Sequence, residues 1–182
     1  MEKELRQMPL EKGLIQVYTG PGKGKTTAAL GLALRAAGQD MKVYIIQFMK
    51  GWPHYGELTS VEKLPNITLC QFGRPDFVKK DSPDPEDVEQ AHQALGHARQ
   101  ILASGDYDVL ILDEINVALD YNLIGLGEVL ALIESKPEKV ELLLTGRGAH
   151  PEIVKRADLV TEMLDIKHPF GEGVGGRRGI EY

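Results

Sequence analysis

Hydrophobic residues fall along this chain in two recurring patterns. Short runs that are apolar at almost every position alternate with longer stretches in which apolar residues return every three or four. The first pattern fits strands buried on both faces of a parallel sheet, and the second fits helices laid against it. Their alternation is that of βαβ units, so the expected fold is α/β, a parallel sheet flanked by helices, in one domain over residues 1–182. The runs read as strands are Leu14 to Thr19, Lys42 to Phe48, Ile67 to Phe72, Asp108 to Leu112, Glu141 to Thr145 and Leu159 to Leu164.

Two helices carry clear local signals. In the stretch from Pro85 to Ser104, Asp84 can cap the N-terminus, Pro85 suits the first helical position, and Glu86 and Asp87 favour the positive end of the dipole. Val88, Ala91, Leu95, Ala98 and Leu102 then share a face, and Gly105 can end the helix. The other helix starts near Lys25 and stops at Gly38, with small residues that permit close packing on the sheet. Met49 to Asn66 and Gly73 to Asp84 resist assignment, and long loops in a compact α/β domain are more often functional than idle. Gly171 to Tyr182 is glycine-rich and reads as a mobile ending.

Composition narrows the function classes. A net charge of -6 offers no global basic field for nucleic acid or an anionic membrane. The single cysteine, Cys70, removes intrachain disulfides and multi-Cys metal sites, and mid-strand it reads as a small buried residue. The opening residues MEKELRQMPLEKG lack the apolar core of a signal peptide, and no stretch approaches ~20 apolar residues. A cytoplasmic protein without a membrane or nucleic-acid partner is expected.

Chemistry concentrates behind the first strand. Gly20-Pro21-Gly22-Lys23-Gly24-Lys25-Thr26-Thr27 stands between that strand and a helix. In this order backbone N–H groups converge, the helix N-terminus adds positive potential and Lys25 adds a full charge, which together suit a polyphosphate. Glycine allows close approach and unusual backbone angles, and the Thr26 hydroxyl is placed to bind the accompanying Mg²⁺. The spacing is irregular: the position five before Gly24, glycine in a standard phosphate loop, is Thr19. Gly20 lies one residue closer, so the loop is tighter than usual.

Two further strand ends point to the same place. The apolar run ending in Leu112-Asp113-Glu114 presents carboxylates suited to Mg²⁺, and ligands gather at the carboxyl ends of parallel strands. Thr145-Gly146-Arg147 follows another strand, and Arg147 there either stabilises phosphate charge or pairs with a surface carboxylate. No Ser/His/Asp or Cys/His nucleophilic pair is apparent. Among the histidines, His92 and His97 read as surface residues of the long helix and His168 as an anchor of the tail.

The segments TGPGKGKTTAALGLALRAAG, QFMKGWPHYGE, the strand ending LDE, TGRGAH, ADLVTEM and KHPFGEGVGGRRGIEY occur in this order. Together they resemble the ATP:corrinoid adenosyltransferases of the cob(I)alamin adenosyltransferase type, found in bacterial cobalamin synthesis and salvage. The resemblance covers nearly the whole chain, and the tight phosphate loop is itself a trait of that family.

The resemblance implies a P-loop fold similar to RecA-like ATPases, a homodimer, and transfer of the 5′-deoxyadenosyl group from ATP to the cobalt of a reduced corrinoid, with triphosphate leaving intact. It also implies a flavoprotein as electron donor. Carried over residue by residue, it gives Gly20, Gly22, Lys23, Gly24, Lys25, Thr26 and Thr27 to ATP, and Thr26 and Glu114 to Mg²⁺. Lys25, Glu114 and Arg147 become the residues that act on the leaving group. Trp52 and His54 become candidates for lining the corrin. Phe77 matches the first position of a Phe-x-Trp pattern that covers the lower corrin face, whereas the tryptophan is replaced here by Lys79.

Overall fold

A computed structural model describes residues 10–182. The element order is β1 (Ile15–Thr19), α1 (Lys25–Ala37), β2 (Val43–Phe48), α2 (Gly56–Val61), β3 (Ile67–Phe72), α3 (Pro85–Ser104), β4 (Val109–Asp113), α4 (Ile115–Asp120), α5 (Leu126–Glu134), β5 (Glu141–Thr145), α6 (Pro151–Arg156) and β6 (Leu159–Glu162), followed by a short 3₁₀ turn at Pro169–Glu172. The strands form one parallel sheet in the order β3-β2-β4-β5-β1-β6, an α/β arrangement of the P-loop NTPase-like kind.

Both faces of the central strands are apolar because both are covered. Along β2, Val43 and Ile45 face α1, where Ala29, Ala33 and Ala36 let the helix approach closely. Tyr44, Ile46 and Phe48 face the other way, toward Ala91, Ala94, Leu95 and Ala98 of α3. Strand β4 alternates likewise, Val109 and Ile111 against Leu110 and Leu112. Truncating a buried leucine such as Leu110 would cost about 3 kcal/mol, the usual sum of lost transfer energy and cavity.

Helix α3 has the expected ends. Asp84 accepts a hydrogen bond from the Glu86 amide (3.0 Å), the Asp87 carboxylate accepts one from the Asp84 amide (3.1 Å), and Gly105 closes the helix at φ 71°. Elsewhere position in the sheet changes the picture. Strand β6 is the edge, all four of its residues are exposed, and it ends at Glu162 rather than Leu164. Its apolar run is therefore not a buried strand. The Met49–Asn66 stretch contains α2.

His97 does not lie on the surface. It is half-buried, and its Nε2 lies 2.7 Å from the Tyr44 hydroxyl, because the long helix turns that side chain toward the sheet. Cys70, on the other edge strand, is half-buried rather than enclosed. His92 is exposed, as expected.

Candidate active site

The carboxyl ends of β1, β2, β4 and β5 open into a cleft of about 1030 Å³, at the top of the range for small-molecule sites. The phosphate loop forms one wall. Gly20 and Gly24 are left-handed (φ 96° and 118°), where a side chain would be strained. Glycine is also required by contact: a Cβ on Gly20 would stand 2.5 Å from the Met163 carbonyl oxygen, and one on Gly22 2.5 Å from that of Leu164. The Gly22 amide donates to the Met163 oxygen at 2.7 Å. The segment after β6 thus braces the shortened loop along its backbone.

Helix α1 starts at the mouth of this loop with no side chain capping it. Its first amides are left for a ligand, and the positive end of its dipole faces the cleft. The Lys25 ammonium is folded over the loop, donating to the carbonyl oxygens of Gly20 (2.8 Å) and Gly22 (2.7 Å). Burial lowers its pKa, so it is a cation held in a place that favours a counter-anion. Lys23, Thr26, Thr27 and Arg147 also line the cleft.

Asp113 is the hub of the opposite wall. Its Oδ1 accepts from the hydroxyls of Thr26 (2.9 Å) and Thr145 (2.7 Å), and its Oδ2 accepts from Lys50 Nζ (2.8 Å) and Gln47 Nε2 (3.3 Å). The parallel register sets Gln47 directly beside Asp113, while Thr145 ends the next strand. Burial pulls the Lys50 ammonium down, but its ion pair and hydrogen bond with Asp113 outweigh this and hold its pKa raised.

Glu114 differs from its neighbour. It is left-handed at φ 66°, a conformation uncommon without glycine, and this turns it from the strand into the cleft. Its amide donates to Thr145 Oγ1 (3.0 Å), whereas among the described residues its carboxylate has no hydrogen-bond partner. Burial, then the neighbouring Asp113 charge, raise its pKa.

These oxygens fit a hard divalent cation. By donating to Asp113 the Thr26 hydroxyl turns its lone pairs outward, and the Glu114 carboxylate stands free. Among the described residues no three His, Cys, Asp or Glu side chains form a metal cage. The two oxygens of Thr26 and Glu114 would suffice for Mg²⁺, which keeps waters and draws further ligands from substrate phosphates.

The remaining wall is aromatic. Tyr55 lines the cleft, with Lys50 Nζ 5.4 Å from its ring centre, and Phe77 lines the rim while 96% exposed. Trp52 and His54 are not among the lining residues. Trp52 instead packs edge-on against His54, Tyr55 and Tyr182, so its contribution to the cleft is to hold Tyr55 and the tail. The glycine-rich ending is seated there: Gly179–Tyr182 line the cleft, Lys23 Nζ lies 3.5 Å from the Ile180 oxygen and 3.9 Å from Glu181, and Arg177 pairs with Glu181. His168 also lines the cleft, and its Nδ1 caps the 3₁₀ turn by accepting from the Phe170 amide.

The cleft thus has cations and amides for a polyphosphate and oxygens for a metal. Its Ser60 hydroxyl donates to the Gly56 oxygen, and the Thr26 and Thr145 hydroxyls donate to an Asp113 carboxylate already paired with Lys50. Sequence reasoning missed Lys50, Gln47 and Thr145; they converge on Asp113 from other strands, and only the QFMK and LDE segments standing at strand ends hinted at it.

Comparison with known proteins agrees. The family model described as ATP:corrinoid adenosyltransferase BtuR/CobO/CobP matches residues 11–182. Corrinoid adenosyltransferases of Pseudomonas aeruginosa and Escherichia coli K12 are 35% and 36% identical to the whole of this chain, which covers 90% and 92% of their lengths. One from a Sinorhizobium species is 38% identical, with 86% of its length covered. On this family match and these near-full-length relatives, the chain belongs to the ATP:corrinoid adenosyltransferase family.

Proposed function

We propose that this chain transfers the 5′-deoxyadenosyl group of ATP to the Co(I) of a reduced corrinoid, releasing triphosphate, in adenosylcobalamin synthesis or salvage. The Co(I) electron pair forms the bond to C5′, the C5′–O bond breaks, and its electrons leave on triphosphate. The observation that carries this reading is the cradle in which the Lys25 ammonium is folded over the glycine loop, in a chain that matches the corrinoid adenosyltransferases along nearly its whole length. A hydrolase or kinase would attack the γ-phosphorus and release phosphate or a phosphorylated acceptor, whereas attack at C5′ releases intact triphosphate.

In this reading the protein aligns C5′ with cobalt and neutralises the charge growing on the leaving group. Lys25 moves from the Gly20 and Gly22 carbonyls to the phosphates, joined by the amides of Gly22 to Thr27, by Lys23 and by Arg147. Mg²⁺, when bound, supplies Lewis-acid stabilisation of the triphosphate oxygens. Thr26 and Glu114 would hold it, with Asp113 fixing the Thr26 hydroxyl. Phe77 covers the lower corrin face as an apolar wedge, which its exposure on the rim supports, and Trp52 and His54 border the same face through Tyr55. The catalytic unit is one domain over residues 1–182 that works as a homodimer in the cytoplasm and takes electrons from a flavoprotein.

Anaerobic reaction with ATP labelled in the adenine ring tests the transfer. The label should elute with the corrinoid; label found only in ADP or adenosine would remove the proposal.

A further inference from the structure

Two adjacent carboxylates face one cleft, yet their surroundings differ. Asp113 has four donors, one of them the fully charged Lys50, so no lone pair is left for a cation. Glu114 has none through its carboxylate among the described residues. The difference depends on Lys50, because two hydroxyls and an amide would leave Asp113 a buried, uncompensated negative charge and the natural first stop for a divalent cation.

Lys50 is also built into place. Met49, the residue before it, is left-handed at φ 58°, a strained conformation for a non-glycine residue that turns the chain out of β2. The turn is packed backbone to backbone: a Cβ on Gly73 would stand 2.6 Å from the Lys50 amide nitrogen, and one on Gly51 2.2 Å from the Gly73 oxygen. The Lys50 side chain is only 15% exposed. A solvent-facing lysine would need neither the strained residue nor the two close approaches.

We infer that Lys50 is a positioning residue that assigns the metal to Glu114 by occupying Asp113. It keeps Asp113 as the acceptor that orients Thr26 and leaves Glu114 as the carboxylate open to the cation. The inference rests on the proposed Thr26 and Glu114 metal site and deepens it.

The test uses Mn²⁺ as a spectroscopically visible probe, titrated by electron paramagnetic resonance into full-length protein with ATP and without corrinoid. Glu114→Gln should weaken Mn²⁺ binding about tenfold or more in the otherwise unchanged protein. In a Lys50→Met background the same substitution should cost less than about threefold, because Asp113 is then free to take its place. Lys50→Arg should restore the full cost, since it returns the charge to Asp113. If Lys50→Met does not fold, Lys50→Ala, which likewise removes both the donor and the charge, carries the same comparison. An equal Glu114→Gln cost in both backgrounds would overturn the role of Lys50 while leaving the Glu114 site standing. No cost in the unchanged protein would overturn the Glu114 site itself, and the role of Lys50 with it.

Discussion

The two ends of the sheet are built from the same strands and treat polar groups in opposite ways. At the amino end, the Glu141 carboxylate accepts from the Leu14 amide and from Gln16 Nε2, both at 2.6 Å, and Gln16 Oε1 accepts from the Tyr18 hydroxyl. Lys136 spends its ammonium on the carbonyls of Gly13, Pro137 and Val140, at 2.9 to 3.0 Å. At the carboxyl end, Lys25 is folded back on its own loop, Glu114 faces the cleft, α1 is uncapped and Met49 and Glu114 are left-handed. The closed end is finished as a structure. The open end leaves Lys25, Glu114 and the first α1 amides available to ligands, and its strain and lowered Lys25 pKa are the cost of keeping it ready.

The largest expected effect breaks the open end. Lys25→Ala should lower transfer about a thousandfold or more, as losing a charge opposite a developing anion commonly does, far beyond the ~2 kcal/mol of stability lost with its bonds to the Gly20 and Gly22 carbonyls. A folded variant with near-normal turnover would remove Lys25 from the leaving-group site. The closed end should answer in the reverse sense. Lys136→Met leaves the Gly13 and Val140 carbonyls without this donor, so denaturant titration should show a loss of about 2 kcal/mol, with turnover per folded molecule unchanged. A large loss of turnover without a loss of stability would erase the contrast between the two ends.

A smaller effect sharpens the comparison within the open end, which contains a second satisfied ion pair besides Lys50 and Asp113. Arg74 donates to both oxygens of the buried Asp87, at 2.9 and 3.0 Å, and thereby fixes the Gly73–Asp84 loop that carries Phe77. That bond holds the Asp87 carboxyl below its usual range against the opposing effect of burial. A carboxylate depressed in the folded state stabilises above its unfolded value, about pH 4, and the gain disappears as pH falls through the folded value. Asp87→Asn should therefore cost about 1–2 kcal/mol at pH 7 and flatten the acid limb of the stability curve below pH 4. An unchanged acid limb would show that Asp87 is not held by Arg74 in solution.

The smallest effect concerns Phe77. With its ring 96% exposed, Phe77→Ala should leave stability unchanged. It should slow adenosylation a few-fold, about one kcal/mol, when the reaction starts from Co(II) with a mild reductant, and hardly at all from ready-made Co(I). Equal losses from both starting states would reduce Phe77 to packing.

What could be seen in the sequence follows from the range of each signal. The β1–loop–α1 order, Lys25 and Thr26, and the capped start of α3 rest on neighbouring residues, and local spacing is enough to place them. The LDE strand end pointed to the right edge of the sheet. It could not divide the work of Asp113 and Glu114, because the division depends on Lys50, Gln47 and Thr145 arriving from two other strands. Strand order is not written locally, which is also why the exposed edge β6 reads like a buried strand. His97 reads as surface from its polarity, although its helical position points it at Tyr44. Trp52 and His54 lie in the expected loop, yet the ring of Trp52 packs against Tyr182, far along the chain.

The central claim is that this cleft stabilises departing triphosphate while an external Co(I) attacks C5′. The most direct measurement follows the corrin spectrum and the phosphate product together, during anaerobic incubation with ATP, Mg²⁺ and chemically reduced cobalamin. The account predicts a Co–C bond spectrum that grows in step with intact inorganic triphosphate, one for one. Release of orthophosphate or ADP, or ATP consumed with no change in the corrin, would contradict it.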